Sequence, residues 1–319
     1  MATQFAVLQS WTTILGGAPE TGQEYTGREI WPIEAIDGRR YFLKKLDPWR
    51  NLPLADEARV VAYLSHQGID VAEFLLTDQA TIAAAVGEDQ YVLLTRLEES
   101  ELTPAETLAG EAAAGSATAR LHTALASYPW QTNSYTENLA GSLAGDLVLP
   151  PKTRELFERR RDEVIGRIAN LPIQPVHGDF TPGNILLAAS GVVPGFIDFD
   201  HLPYAPRIWD IGKYLSRRIR TGWRGEVAMP DNQCLDHITA FLHGYHTESP
   251  LADEEDLGLS AMILAGNVLE VSYYLEVRTG ILIRRMLPDH DQTTADAIAA
   301  ANWQMEHWDE VEEAVTRAV

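Results

Sequence analysis

The sequence of 319 residues predicts an α+β fold with two lobes: a small N-terminal lobe that combines an antiparallel sheet with one helix, and a larger, mainly helical C-terminal lobe. The first observation is Asp37-Gly38 between two strand-like runs, because Asp-Gly in that position is a strong signal for a β-hairpin. The second is the helical periodicity that dominates from Arg207 onward. A hydrophobic content of 45% is enough for two cores. We expect the lobes to span residues 1–98 and 99–319.

The N-terminal lobe is predicted from short apolar runs that read as strands and from one helical pattern. Strands are expected at Trp11–Leu15, Glu29–Ile36, Arg39–Leu46 and Gln90–Leu97. The helix after the third strand carries Glu57 on its apolar side, since Val60, Val61 and Leu64 follow at i+3, i+4 and i+7. A carboxylate on a buried helix face requires a cationic partner.

The C-terminal lobe is predicted to be a series of helices. The first begins with a capping box at 103–106 and runs to about Ala126. Further helices are expected at Lys152–Asn170, Asp236–Tyr245, Asp253–Leu287 and Thr293–Ala318. The most apolar stretch, 259–275, is interrupted by Asn267 and Glu270, so we expect no membrane-spanning segment.

Composition and charge argue against several classes of protein. The formal net charge of −21 argues against nucleic-acid binding, because that requires a basic surface. The single cysteine, Cys234, allows neither an intramolecular disulfide nor a cysteine metal cluster. The N-terminus lacks the basic start and apolar run of a secretory signal, so a cytoplasmic protein is expected. Most of the acidic excess falls after residue 97, where it would attract a cationic ligand or would simply keep the surface solvated.

The most informative segment runs from His177-Gly178-Asp179 to Asn184, with Asp198 at the end of a following apolar run. Moving a phosphoryl group requires a positioned nucleophile, a bound Mg²⁺ and compensation of negative charge. Asp179 would accept the proton of an acceptor hydroxyl, and Asn184 with Asp198 would bind the metal through oxygen. An isolated motif of this form could also be an ordinary loop with a packed histidine. Apolar runs around it, however, predict short buried strands that bring the three side chains to one place.

Residues 177–186 and 197–200 resemble the catalytic loop and the metal-binding segment of the aminoglycoside phosphotransferase and choline kinase superfamily, protein-kinase-like enzymes that phosphorylate small molecules. Protein kinases carry H-R-D and D-F-G at these places, and H-G-D and D-F-D depart from them toward the small-molecule kinases. The resemblance implies a protein-kinase-like two-lobed fold, ATP or GTP as phosphoryl donor, Mg²⁺ and a small hydroxyl-bearing substrate. It also implies that the enzyme is a small-molecule O-kinase.

The resemblance assigns further residues around the nucleotide. Lys44 follows an apolar triplet, as the family's phosphate-binding lysine does, and Glu57 would pair with it. Lys45 points to the opposite face of the strand, so only one of the two lysines can enter the cleft. Arg96 and Leu97 would lie in the hinge between the lobes, whose backbone would hydrogen-bond adenine.

Other residues are implied to support the site. His177 and Asp200 are candidate accessory residues, the latter for a second metal or for bracing the loop. Arg207 and Asp210 are expected to brace the catalytic region rather than to take part in chemistry.

The segment 16–22 lies between the first two predicted strands, where kinases cover the phosphates. It does not spell G-x-G-x-x-G, and no P-loop sequence ending in G-K-[ST] occurs in the chain. A phosphate-covering loop and a plain hairpin turn both remain open.

The acceptor is less constrained than the reaction. An aminoglycoside-type antibiotic, and hence a resistance function, is the first expectation, because a cationic acceptor suits the acidic C-terminal lobe. The alternative is a metabolite such as homoserine, choline, methylthioribose or an amino sugar. Asn267, Glu270 and Tyr274 share a helical face and are candidate acceptor-lining residues, although such a polar face also suits interhelical packing. A nucleotide-binding scaffold without catalysis is a further alternative, and the oligomeric state is open.

Overall fold

The computed structural model describes residues 4–17, 19–24, 29–47, 50–97, 107–186, 193, 195–221, 232–277 and 290–318. Its strands are β1 (Glu20–Thr21), β2 (Ile30–Glu34), β3 (Arg40–Lys45), β4 (Phe74–Leu75), β5 (Ala84–Val86), β6 (Asp89–Thr95), β7 (Gln174–Pro175), β8 (Ile185–Leu186), β9 (Gly195–Phe196) and β10 (Tyr204–Ala205). Its helices are a 3₁₀ helix (Gln4–Trp11), α1 (Thr12–Leu15), α2 (Leu54–His66), α3 (Leu108–Ala126), α4 (Leu139–Ala144), α5 (Pro151–Glu158), α6 (Arg161–Ile168), α7 (Ile208–Thr221), α8 (Asn232–Glu248), α9 (Asp253–Val277), α10 (His290–Glu306) and α11 (Trp308–Arg317).

The N-terminal lobe contains the predicted antiparallel sheet. Its strands follow the order β1-β2-β3-β6-β4, and β5 also pairs with β6. The predicted hairpin joins β2 to β3, and Gly38 in its turn has φ +81°, a conformation that glycine adopts without strain. Successive residues of β3 face opposite sides of the sheet. Leu43 is therefore buried in the lobe's core while Lys44 points to the other face.

The prediction of a strand at 11–15 is wrong. These residues end the 3₁₀ helix and form α1, and Trp11 and Leu15 are buried on one helical face. Their spacing of four residues fits a helix as well as a strand, and the Trp11 Nε1 atom donates to the Leu75 carbonyl at 2.9 Å. A plain hairpin turn across 16–22, one of the two alternatives left open, is consequently not seen among the described residues: Gly16 caps α1, and the first strand of the sheet is β1 within that segment.

The C-terminal lobe is mainly helical, as predicted, but several helix boundaries differ. The expected capping box at 103–106 lies outside the described residues, and α3 begins at Leu108 with the Thr107 hydroxyl accepting from the Gly110 N–H at 3.0 Å. The single helix expected at 152–170 is divided into α5 and α6. The last predicted helix is divided at His307 into α10 and α11.

Two helices of this lobe, α3 and α8, pack closely against each other. A Cβ on Gly115 of α3 would lie 1.9 Å from the Phe241 carbonyl oxygen of α8, so these two helices approach to backbone contact. The stretch 253–276 of α9 is long and apolar enough to span a membrane by length and composition, and 78% of its most apolar window is buried inside the structure. Burial of this kind is what the core helix of a globular lobe shows, so the resemblance to a membrane span carries little weight.

Backbone hydrogen bonds join the two lobes beside the predicted site. The Phe196 N–H donates to the Asp70 carbonyl at 2.9 Å, and the Leu52 N–H donates to the Asp200 carbonyl at 2.8 Å. Both links use residues that flank Asp198, so the N-terminal lobe is docked directly on the predicted metal-binding segment. Residues 98–106 are outside the described part, and the boundary at residue 98 remains a prediction.

Candidate active site

A short hairpin brings the two motifs together. Ile185 of β8 pairs with Phe196 of β9, and the Ile197 N–H donates to the Asn184 carbonyl at 3.1 Å. Asp198 follows directly with φ +70°, a left-handed conformation that is uncommon outside glycine and often found at functional sites. Asn184 precedes β8 and Asp198 follows β9, so the two residues lie at the same end of the strand pair.

The catalytic-loop candidate Asp179 is held against Asn184. The Asn184 Nδ2 atom donates to the Asp179 carbonyl oxygen at 2.7 Å and to its Oδ2 atom at 3.2 Å. The Asn184 N–H also donates to the Thr181 carbonyl at 2.9 Å, which closes the predicted turn. Because the amide nitrogen is engaged with Asp179, the Asn184 Oδ1 atom is the end of this side chain that suits a cation.

The residue between His177 and Asp179 must be glycine. Gly178 has φ +83°, and a Cβ there would lie 2.2 Å from the Pro203 Cδ atom. The arginine that protein kinases carry at this place would not fit against Pro203. The H-G-D form of the motif thus follows from local packing.

Lys44 of β3 forms an ion pair with Asp198 in the predicted metal-binding segment. Its Nζ atom lies 2.6 Å from the Asp198 Oδ1 atom. Burial opposes ionisation of Asp198, but the Lys44 charge and hydrogen bond outweigh it and lower the pKa of that carboxyl. Burial and the negative charge of Asp198 raise the pKa of Asp200. The two acids therefore differ in their readiness to ionise, and Asp198 is the better anionic ligand.

The structure does not pair Lys44 with Glu57. The Glu57 carboxylate, buried in α2, forms its ion pair with the Arg50 guanidinium instead. Asp198 and Asp200 also act on the Arg50 charge, while burial lowers the pKa of that guanidinium. Arg50 thus connects α2 electrostatically to Asp198 and Asp200.

Asp210 binds the backbone of the predicted catalytic loop. Its Oδ2 atom accepts from the His177 N–H at 2.7 Å, and its Oδ1 atom accepts from the Gly178 N–H at 2.9 Å. The His122 Nε2 atom lies 3.1 Å from Oδ2, and its Nδ1 atom lies 2.8 Å from the Tyr245 hydroxyl. Asp210 thus holds the backbone next to Asp179, and His122 is packed in the core.

His177 and Arg207 are also held within the framework of the lobe. The His177 Nε2 atom lies 2.9 Å from the Ile197 carbonyl oxygen, and its ring lies 4.7 Å from the Phe199 ring. Arg207 binds the Glu255 carboxylate with its Nε atom at 2.8 Å and its Nη2 atom at 2.7 Å. His177 therefore links the two motif segments, and Arg207 links the start of α7 to α9.

Comparison with known proteins identifies the family to which the chain belongs. The sequence model of the phosphotransferase enzyme family matches residues 34–235, which include Lys44, Asp179, Asn184 and Asp198. The chain belongs to this family. It is therefore a small-molecule phosphotransferase that acts on hydroxyl groups. No curated protein sequence matches the chain.

Solved structures support the same fold for this phosphotransferase. An aminopropanol kinase associated with a microcompartment superimposes with a TM-score of 0.73 at 13% identity, covering 100% of this chain and 99% of the other. An amicoumacin kinase in complex with AMP-PNP, Ca²⁺ and Ami gives 0.66 at 17% identity, with coverages of 95% and 91%. A choline/ethanolamine kinase family protein from Mesorhizobium loti gives 0.65 at 16% identity, with coverages of 98% and 97%. At these identities the matches establish the protein-kinase-like fold.

Two cations of the phosphotransferase that the sequence reasoning missed lie beside Asp179. The Lys213 Nζ atom is 2.6 Å from the Gly178 carbonyl oxygen and 3.6 Å from the Asp179 Oδ1 atom. Burial opposes ionisation of Asp179, but Lys213 and Arg217 outweigh it and lower the pKa of that carboxyl. Both cations lie on α7, in a sequence without a recognisable motif. Only their spacing of four residues, which puts them on one helix face, could have indicated a joint role.

The three candidate acceptor-lining residues lie in a network between helices. The Glu270 carboxylate forms ion pairs with Arg217 and Arg220, and the Tyr274 hydroxyl donates to Glu270 at 3.1 Å. The Asn267 Nδ2 atom donates to the Gln304 Oε1 atom of α10 at 2.8 Å, and Asn267 is only 1% exposed. Asn267 therefore joins α9 to α10, whereas Glu270 and Tyr274 are connected through Arg217 to the surroundings of Asp179.

The hinge candidates lie next to the hairpin. The Arg96 N–H donates to the Arg40 carbonyl at 3.4 Å, and its guanidinium lies 5.5 Å from the centre of the Phe42 ring. Leu97 packs against Gly195, where a Cβ would meet its side chain at 2.7 Å. The residues that follow β6 thus lie against β9.

The donor set fits a hard divalent cation that is held jointly with phosphate oxygens. Asn184 and Asp198 offer an amide and a carboxylate oxygen, the ligand types that Mg²⁺ prefers. No group of three or more histidine, cysteine or acidic side chains that could bind a metal occurs in the part of the chain that the structure describes. Mg²⁺ characteristically uses one or two protein ligands and completes its shell with substrate phosphates and water.

Proposed function

We propose that this enzyme transfers the γ-phosphate of ATP, or of GTP, to a hydroxyl of a small molecule in a Mg²⁺-dependent reaction. Asp179 orients the acceptor hydroxyl and takes up its proton, while Asn184 and Asp198 hold the metal. The observation that carries the proposal is the convergence of these three residues: Asn184 bonds to Asp179, and the hairpin places Asp198 beside Asn184. The AMP-PNP and Ca²⁺ bound to the amicoumacin kinase support a nucleotide and a divalent cation as cofactors.

The nucleotide is proposed to bind between residues 1–98 and residues 99–319. Lys44 anchors the phosphates, since its ammonium already lies at the metal-binding segment. Arg96 and Leu97 supply the hinge backbone for the base. Glu57 acts through Arg50, its ion-pair partner, rather than through Lys44.

His177 and Asp200 are proposed as accessory residues. His177 fixes the distance between the two motif segments through its bond to the Ile197 carbonyl. The raised pKa of Asp200, caused by burial and by Asp198, makes it a weaker metal ligand than Asp198. A bound divalent cation would offset this repulsion and favour ionisation of both acids.

The charge near Asp179 favours a metabolite over an aminoglycoside as acceptor. The aminoglycoside expectation relied on the acidity of the C-terminal lobe and on the resemblance to the family. Among the described residues of that site, the Glu270 carboxylate is engaged by Arg217 and Arg220, and Lys213 lies beside Asp179. A polycationic acceptor would meet these cations at the place where its hydroxyl must bind.

A direct test uses purified protein with Mg²⁺ and either ATP or GTP, and measures phosphorylated products by mass. Asp179→Ala should lower kcat by about 10²–10⁴-fold, the range for a positioned general base. Asp198→Ala should abolish transfer, and Asp236→Ala, an exposed acid on α8, is the matched control. Near-normal kcat in Asp179→Ala would remove its assigned role. Nucleotide binding without turnover by the wild type would favour the scaffold alternative.

A further inference from the structure

We infer that the acceptor carries an anionic group, a carboxylate or a phosphate ester, close to its reactive hydroxyl, and that Lys213 and Arg217 bind it. The inference rests on the proposed function, because it names the acceptor class of the same site. It goes beyond that function because the phosphoryl-transfer residues alone are indifferent to the acceptor's charge.

The first support is the position of the two cations. Lys213 and Arg217 stand one turn apart on α7, on the helix face directed at the catalytic loop. The Lys213 side chain is fixed by the Gly178 carbonyl and retains 20% exposure. The Arg217 side chain is oriented by its ion pair with Glu270 and retains 28% exposure. Both are therefore held in place, yet open enough to meet a ligand that enters beside Asp179.

The second support is the division of cations between the two sides of the site. The Lys44 Nζ atom lies 2.6 Å from the Asp198 Oδ1 atom, whereas the Lys213 Nζ atom lies 2.6 Å from the Gly178 carbonyl oxygen and 3.6 Å from the Asp179 Oδ1 atom. Lys44 thus serves the metal and phosphate side. Lys213 and Arg217 serve the side of the proposed base, which is where the acceptor must lie.

The third support is the charge of the cluster on the acceptor side. Among the described residues it contains the cations Lys213, Arg217 and Arg220 and the anions Asp179 and Glu270. These five residues together carry one positive charge in excess. An anionic group on the acceptor would balance it, and guanidinium and ammonium donors form strong hydrogen bonds to such groups.

The competing interpretation is that Lys213 stabilises the phosphoryl group during transfer. The two roles differ in what the loss of Lys213 does to hydrolysis of ATP by water, which needs the phosphoryl site but no acceptor. The variants are Lys213→Met and Lys213→Arg, and Lys152→Met is the matched control because that lysine is 65% exposed on α5. Urea unfolding of each variant verifies that it is folded.

The substrate test uses alcohols that share a skeleton and differ in charge: 4-hydroxybutyrate, 4-hydroxybutyramide and 4-amino-1-butanol, together with homoserine and its amide. A metabolite extract with ATP and Mg²⁺, analysed for new phosphorylated products, extends the search and separates carboxylates from phosphate esters by mass. We expect the acceptor with the highest kcat/KM to carry an anionic group. Its amide should lose roughly 10- to 100-fold in kcat/KM, the range for a lost charge-assisted hydrogen bond.

In Lys213→Met, we expect the fold increase in the acceptor KM to be at least ten times the fold decrease in the rate of ATP hydrolysis by water. Lys213→Arg should restore part of the acceptor affinity. The Lys152 variant should match the wild type. The inference is overturned if the acceptor with the highest kcat/KM has no anionic group. It is also overturned if the enzyme hydrolyses ATP with water but phosphorylates no anionic acceptor in the panel or the extract. Equal losses in hydrolysis and transfer overturn it as well, and assign Lys213 to the phosphoryl group. If the wild type neither binds nor turns over nucleotide, the proposed function itself fails and the inference fails with it.

Discussion

Replacing Asp210 by asparagine should both destabilise the protein and slow phosphoryl transfer. The fully buried carboxylate accepts two backbone N–H groups of the catalytic loop and one imidazole N–H. Asparagine keeps one acceptor oxygen but directs an NH₂ group at donors, so at least one buried donor loses its partner. A hydrogen bond to a charged group contributes about 1.5–3 kcal/mol, so the free energy of unfolding should fall by about 2–4 kcal/mol.

The same change should lower kcat by about 10- to 100-fold, because the loop that carries Asp179 would no longer be held in position and small misplacements are costly. Urea unfolding followed by tryptophan fluorescence measures the stability, and product formation at saturating substrate measures kcat. Asp236→Asn, on the exposed face of α8, should leave the stability within about 0.5 kcal/mol. A variant of Asp210 with wild-type stability and wild-type kcat would refute the bracing role.

The effect of this substitution on stability should depend on pH in a defined direction. Burial opposes ionisation of Asp210, but His122 and the Gly178 N–H outweigh it and lower the pKa of the carboxyl below its ordinary value of 3.8. A lowered folded-state pKa contributes stability that is complete above the unfolded value and is lost as the pH falls through the folded value. The difference in stability between the wild type and Asp210→Asn should therefore be constant near neutral pH and shrink below pH 3.8.

Two further changes test other parts of the structure by the same unfolding measurement. Gly115→Ala should destabilise the protein by about 3 kcal/mol, because its Cβ would lie 1.9 Å from the Phe241 carbonyl oxygen. Gly166→Ala, on an open helix face, should stabilise the protein by about 0.5–1 kcal/mol. Similar effects at both sites would contradict the close packing of α3 on α8. Arg50→Met should destabilise by about 2–4 kcal/mol, since it leaves the buried Glu57 carboxylate without this partner, and a loss below about 1 kcal/mol would indicate that another cation replaces it.

Local signals in the sequence predicted the central part of the fold and of the site. Asp37-Gly38 specifies its own turn, and Asp179, Asn184 and Asp198 lie close to one another along the chain. Their placement depends on one two-residue strand pair, so residue types and spacing were enough to predict it. The prediction of a strand at 11–15 was wrong for the same local reason. A pattern of five apolar and polar residues fits two periodicities, and only packing on the sheet decides between them.

Long-range partners could not be predicted in this way. Lys213 of α7 donates to the Gly178 carbonyl, and no sequence motif marks that contact. Glu57 was correctly placed on a buried helix face, but the identity of its cation was decided by the path of the chain around Arg50. A buried carboxylate demands a positive charge without specifying which one supplies it.

The charge of the whole chain is consequently a poor guide to the ligand of its site. A net charge of −21 favoured a cationic acceptor, yet two largely buried acids of the C-terminal lobe already bind arginines: Glu255 binds Arg207, and Glu270 binds two arginines of α7. Coulomb interactions between exposed charges are screened within about 10 Å at moderate salt, whereas those inside a cleft persist. The cations next to Asp179, the proposed base, are Lys213 and Arg217, and we expect acceptor recognition to follow this local charge.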